Sequence, residues 1–235
     1  MIDAVVFDKD GTLFDFRKSW SGYVRRMIAE LADTGEGGGR HKAALARAIG
    51  FNAEAGDFQP DSPVIAGTAE EIADHLLPLL PGWDHAALVD KLNAGSTEAE
   101  MTEAVPLVPL IGCLRARGLR IGLATNDVEA AGRAHLAAVG VDGLFDAILG
   151  ADSGHGAKPG PGMLLAFARG VGVAPARVLM VGDSCHDLIA GRAAGMQTVA
   201  VLTGIAKASD LAPLADAVLP DVGALPAWID ARRAV

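Results

Sequence analysis

The sequence predicts an α/β protein: a doubly wound parallel sheet interrupted, after its first strand, by an all-helical insert. Three observations carry this. Short apolar, β-branched runs recur and alternate with stretches of helical periodicity. Most of the runs close on turns rich in Gly, Asp, Asn or Thr. Residues 15 to about 104 break the rhythm and show helical spacing alone. Buried strands that alternate with helices assemble into a parallel sheet through right-handed crossovers.

The first run is Ala4–Phe7, closed by Asp8-Lys9-Asp10-Gly11-Thr12. The next unit lies far downstream. Leu107, Leu110, Ile111 and Leu114 recur at helical spacing, and Gly118 suits a helix stop. Residues 119–124 form a second strand ending in Thr125-Asn126-Asp127. Asp127 can cap a helix that Gly140 ends. Then come a strand at 147–149, a helix at 161–171 with Pro in its first turn, and a strand at 178–181 ending in Gly182-Asp183-Ser184. A helix to about residue 194, stopped by Gly195, precedes strands at 198–202 and 217–219.

Within the insert, Trp20, Val24, Met27, Ile28 and Leu31 share one helical stripe, and Ile72, Leu76, Leu77 and Leu80 another. The Gly-rich 35–39 and the Pro- and Gly-containing 56–67 read as loops. The crossings near Phe14 and Val105 are candidate hinges. The expected division is a core of residues 1–14 and 105–235 and a helical cap of residues 15–104.

With 51% apolar residues a substantial core is available. A net charge of −9 disfavours nucleic acid or an anionic membrane as partner. The longest uncharged run, 193–206, is too short to span a bilayer. No basic leader precedes the first strand, and two cysteines make no disulfide framework. A cytoplasmic monomer or homodimer is expected.

In an open α/β sheet, ligands bind beyond the carboxyl ends of the strands. This chain puts Asp8 and Asp10, Thr125 and Asn126, Lys158, and Asp183 with Asp187 at four such ends. Clustered carboxylates repel unless a cation sits among them, and a hard divalent ion with oxygen ligands meets that need. Carboxylates, a metal and a lysine converging on one point suit phosphoryl chemistry. Residues 8 and 10 of an extended segment face the same way, so Lys9 should point away from both aspartates, free to pair with a nearby carboxylate or to reach toward the cap.

Asp8-Lys9-Asp10-Gly11-Thr12, Thr125-Asn126, Lys158-Pro159 and Gly182-Asp183-Ser184-Cys185-His186-Asp187 resemble, in order, the four motifs of the haloacid dehalogenase superfamily. The nearest branch resembles phosphoglycolate phosphatases, with a Rossmann-like core and a helical cap. The resemblance implies Mg²⁺ as cofactor and a small phosphorylated metabolite as substrate. It implies Asp8 as the nucleophile that becomes phosphorylated and Asp10 as general acid/base. True dehalogenases resemble this pattern but lack the second aspartate, so Asp10 favours phosphate esters. Thr125 and Lys158 are implied as catalytic groups that also bind the phosphoryl group, with Asn126 as a further donor. Asp8, Asp183, Asp187 and the Asp10 carbonyl are implied around the metal.

Specificity is expected from the cap, which carries eight basic against fifteen acidic residues. Arg17, close to the first motif, is the candidate for a second anionic group on the substrate. Lys18 is the next. Trp20 and Tyr23 fit a core stripe. Phosphoglycolate is the favoured ester. A sugar phosphomutase resembling β-phosphoglucomutase and a non-catalytic phosphoryl-binding protein are the alternatives.

Overall fold

A computed structural model of the chain describes residues 1–33 and 38–233. The strands are β1 (Ala4–Phe7), β2 (Phe51–Asn52), β3 (Asp57–Phe58), β4 (Arg120–Ala124), β5 (Ala147–Leu149), β6 (Val178–Gly182), β7 (Gln197–Val201) and β8 (Ala217–Leu219). The helices of the first part are α1 (Phe16–Asp33), α2 (Gly38–Ala48), α3 (Pro63–Ala66), α4 (Ala69–Leu76) and α5 (His85–Thr97). Those of the second are α6 (Leu107–Ala116), α7 (Glu129–Ala138), α8 (Gly162–Gly170), α9 (Cys185–Ala193), α10 (Ala208–Leu211) and α11 (Leu225–Arg233).

Six strands form one parallel sheet in the order β5-β4-β1-β6-β7-β8. Numbered within that sheet alone, the order is 3-2-1-4-5-6, the doubly wound arrangement. The winding reverses between β1 and β6, which pair in register from Ala4↔Val178 to Phe7↔Val181. Both strands are buried along their whole length, so each reads as an unbroken apolar run.

The pleat sorts β1 between the two faces. Val5 and Phe7 join Leu107, Ile111 and Leu114 of α6 and Leu225 and Ile229 of α11. Ala4 and Val6 turn the other way, to Met163, Leu164 and Phe167 of α8 and Ala190 of α9. The aliphatic core of the sheet therefore fixes the height at which Asp8 leaves it.

Residues 16–97 build a second core of their own. Phe16, Trp20, Val24, Met27 and Leu31 of α1 pack with Leu45, Leu76, Leu88 and Leu92. The chain enters and leaves this part side by side: Ala104 N donates to Leu13 O at 2.9 Å and Asp15 N to Thr102 O at 2.8 Å.

The stretch 56–67 is not simply loop. It holds β3, which pairs antiparallel with β2, and α3, which starts at Pro63 behind the cap residue Ser62. Two-residue strands are too short to show an alternation, which is why the sequence conceals them. Of the Gly-rich stretch, residues 35–37 lie outside the described residues, while Gly38 already begins α2. Asp127 does not cap α7 either; Val128 takes the N-cap position, and Glu129 N is met by Asp152 at 2.8 Å. Among the described residues, no helix is long and apolar enough to cross a membrane.

Phe167 is buried where α8 meets the centre of the sheet. Phe167→Ala should cost about 3–5 kcal/mol. Urea unfolding should show a lower midpoint with an unchanged slope.

Candidate active site

The ladder between β1 and β6 continues one residue past β1, where Asp8 N donates to Val181 O at 2.9 Å. Asp8 and, beyond β6, Asp183 therefore emerge next to each other at the switch point. Thr125 and Asn126 follow β4, and Lys158 lies on the loop after β5. Asp187 is one turn into α9, held by a capping box with Ser184: Ser184 N and Oγ donate to its Oδ2 at 3.0 and 2.7 Å. These predicted residues line one cavity between the sheet edge and the helices of 16–97.

Lys158 is the hub of the charges. Its Nζ lies 2.5 Å from Asp8 Oδ1 and 2.7 Å from Asp187 Oδ1. Asn126 braces that lysine: its Oδ1 accepts from Lys158 N at 2.8 Å and its Nδ2 donates to Lys158 O at 2.9 Å. The same Nδ2 donates to Ala66 O of α3 at 2.8 Å, so both ends of the amide are engaged. Thr125, almost fully buried, accepts from Asp127 N at 3.1 Å.

Oxygens of Asp8, Asp183 and Asp187 lie within 4.8 Å of one another, all three buried. Hard carboxylate oxygens at this spacing suit a divalent cation bound directly or through its waters. The electrostatics ask for one. Burial pushes Asp8 up to about 7; Lys158 pulls it down, while Asp187 and Asp10 push it further up. Burial, then Asp8 and Asp187, hold Asp183 well above the usual carboxylate range. Burial opposes the charge on Lys158, but Asp187 and Asp8 outweigh it and raise its pKa. Asp183 is confined by backbone: a Cβ on Gly11, which has φ +87°, or on Gly204 would overlap its carboxylate. Thr12 Oγ1 donates to its Oδ1 at 3.3 Å.

Asp10 belongs to a second cluster. The expectation that Lys9 points away from Asp10 fails, because the chain turns at Gly11 and does not stay extended. Lys9 is fully buried, with Nζ 2.9 Å from Asp10 Oδ2, 3.1 Å from Asp127 Oδ2 and 2.9 Å from His135 Nδ1. Three ammonium hydrogens thus meet three acceptors, above the Trp20 ring at 5.4 Å. Burial, then Lys9, lowers His135 to about 4, which leaves it neutral. With Nδ1 accepting, its Nε2 donates to Ser96 O at 2.9 Å. Ser96 Oγ donates to Asp127 Oδ1 at 2.8 Å. Trp20 Nε1 donates to Asp10 Oδ1 at 2.8 Å, so α1 touches the candidate acid/base directly.

Sequence reasoning found this cluster only in part. The one part legible in advance was that Lys9 could pair with a nearby carboxylate or reach toward the cap, as it does at Asp127 and Trp20; Ser96 and His135 carried no signal. Trp20 and Tyr23 both line the cavity rather than serving only as core. Arg17 stands outside it, half-exposed, its Nε donating to Asp57 at 2.8 Å and its Nη1 to Gly204 O at 3.3 Å. Lys18 pairs with Asp15 at the surface.

A family model described as haloacid dehalogenase-like hydrolase matches residues 2–195. The chain is 32% identical over 211 residues to the probable phosphatase IndB of Dickeya dadantii, covering 86% of this chain and 81% of that one. It is 31% identical over 241 residues to a phosphoglycolate phosphatase of Rhodospirillum rubrum, covering 97% and 91%. In fold it resembles β-phosphoglucomutase of Clostridium difficile, with TM-score 0.67, 20% identity and 96% and 93% coverage. CbbY of Rhodobacter sphaeroides, solved with phosphate, gives TM-score 0.63, 24% identity and 96% coverage of both chains. The chain belongs to the haloacid dehalogenase-like hydrolase family, and these curated relatives group it with that family's phosphatases.

A carboxyl whose folded pKa lies above its unfolded value favours the fold fully below the unfolded value. That contribution is lost as pH rises through the folded one. For Asp8 the window runs from 3.8 to about 7. Without divalent cation, Tm relative to Asp8→Asn should fall across that window. Added Mg²⁺ should raise Tm more at pH 8 than at pH 5; equal gains at both would contradict the triad as the binding site. Lys9→Met strands Asp10 and Asp127 without their cation and should cost about 3–5 kcal/mol, read by thermal unfolding.

Proposed function

We propose that this chain is a Mg²⁺-dependent phosphatase that hydrolyses a small phosphate monoester through an aspartyl phosphate on Asp8. The observation that carries this is Lys158 Nζ seated 2.5 Å from Asp8 Oδ1 beside the buried Asp183 and Asp187. In this reading residues 1–14 and 105–235 are the catalytic core and 15–104 the cap.

The free oxygen of Asp8 attacks phosphorus while the ester P–O bond breaks. Asp10 gives the leaving oxygen a proton and then takes one from the water that hydrolyses the acyl phosphate. Lys158 and the Thr125 hydroxyl neutralise and orient the phosphoryl oxygens. Asp8, Asp183 and Asp187 would hold Mg²⁺, which supplies charge neutralisation between nucleophile and phosphate. Asn126 keeps Lys158 in place, and the Trp20 indole fixes the Asp10 carboxylate.

Phosphoglycolate is the reference ester to assay first, because a relative that shares 31% identity is named a phosphoglycolate phosphatase. A mutase would share every one of these groups. It would convert a hexose 1-phosphate to its isomer without releasing phosphate, which separates the two activities in one assay.

Acid-quenched enzyme incubated with a labelled phosphate ester and Mg²⁺ should retain label on Asp8. Asp8→Asn should retain none and turn over no ester; full turnover by that variant would sink the nucleophile. Asp10→Asn should lower kcat about 10²- to 10⁴-fold.

A further inference from the structure

Given that phosphatase reading, the open question is whose phosphate reaches Asp8, and the wall opposite the carboxylates bears on it. That wall comes from α1, the α3–α4 corner and α5. Its side chains include Tyr23, Val24, Met27, Val64, Ile72 and Leu92. Among the described residues, the part of the wall contributed by 16–97 contains no Lys, Arg, His, Asp or Glu.

The polar side chains of this wall are neutral: Asn93 offers an uncharged amide, and those of Tyr23, Trp20 and Ser96 are engaged. Tyr23 OH donates to Leu92 O at 3.2 Å. Trp20 Nε1 is taken by Asp10 and Ser96 Oγ by Asp127. The amino end of α4 borders the cavity at Gly67 and Ala69, and such an end can attract an anion. Here it is closed by its own capping box: Thr68 Oγ1 accepts from Glu71 N and Glu71 Oε2 accepts from Thr68 N at 2.9 Å. Glu70 and Glu71 add negative charge to that turn. Arg17, the cation nearest the first motif in sequence, is turned to Asp57. The basic residues that do line the cavity belong to the other side: Lys158, engaged by Asp8 and Asp187, and the imidazole of His186, exposed on α9.

A second anionic group on the substrate would therefore lose its water without gaining a counter-charge. An alkyl or aryl group would instead exchange water for aliphatic and aromatic contact. We infer that the ester this enzyme prefers carries an uncharged, predominantly apolar organic group, seated against Val24, Met27, Val64, Ile72 and Leu92, and not a carboxylate or second phosphate.

The test is kcat/KM, with Mg²⁺, for ethyl, butyl and hexyl phosphate and for 2-phosphoglycolate. The three alcohols leave with nearly equal acidity, so the alkyl series reads contact with the wall. Expected is a rise of about fourfold per added methylene, and hexyl phosphate at least tenfold better than phosphoglycolate. A rise below twofold per methylene overturns the inference, as does phosphoglycolate equalling hexyl phosphate; both leave the phosphatase reading standing. Hydrolysis of none of the four, by enzyme whose Tm responds to Mg²⁺, overturns the phosphatase reading itself. Ile72→Arg, on a half-buried position, should cut the hexyl rate at least tenfold and raise the phosphoglycolate rate. A folded variant with both rates unchanged also overturns the inference.

Discussion

Lys158 reaches across the switch point of the sheet to sit between Asp8 and Asp187, and the site is organised around that contact. Five carboxylates, Asp8, Asp10, Asp127, Asp183 and Asp187, share the region with two ammonium groups, a formal charge of −3. Burying so much like charge is costly, and each lysine offsets it by holding at least two acids at once. Lys158 serves the side where a phosphoryl group would sit; Lys9 serves Asp10 and Asp127. The remaining excess of negative charge would suit a divalent cation.

The sheet was legible because its strands are short apolar runs, the central two buried along their whole length, and separated by glycine-stopped helices. The last strand, 217–219, could be placed to the residue. The helical stripe from Trp20 to Leu31 was equally plain. What stayed hidden was local and small. The β2–β3 ladder has two residues a side, and α3 has a single turn, so neither has a period to detect. α7 starts one residue later than expected: the Asp127 carboxylate takes Lys9, Ser96 and Val128 N, and Asp152 meets Glu129 N.

The residues brought to the cavity were legible for a different reason. Doubly wound topology forces strand ends together, so Asp8, Thr125, Lys158 and Asp183 could be grouped by order alone. The partners of those residues could not. His135 meets Lys9, and Ser96 meets His135 and Asp127, only through tertiary packing, over separations the sequence does not reveal. The direction of Arg17 was equally invisible, because it depends on Asp57, a residue of the hairpin that the periodicity conceals.

The confinement of Asp183 has a consequence for how the chain tolerates change. Gly11 and Gly204 press on one carboxylate from two distant parts of the sequence, and Thr12 ties it from a third direction. Its rotamer entropy is surrendered on folding, before any ligand arrives, so binding does not have to supply that ordering. The same crowding makes these positions interdependent. A methyl group at 11 or 204 would act as a substitution at 183, and neither site can drift independently of the other.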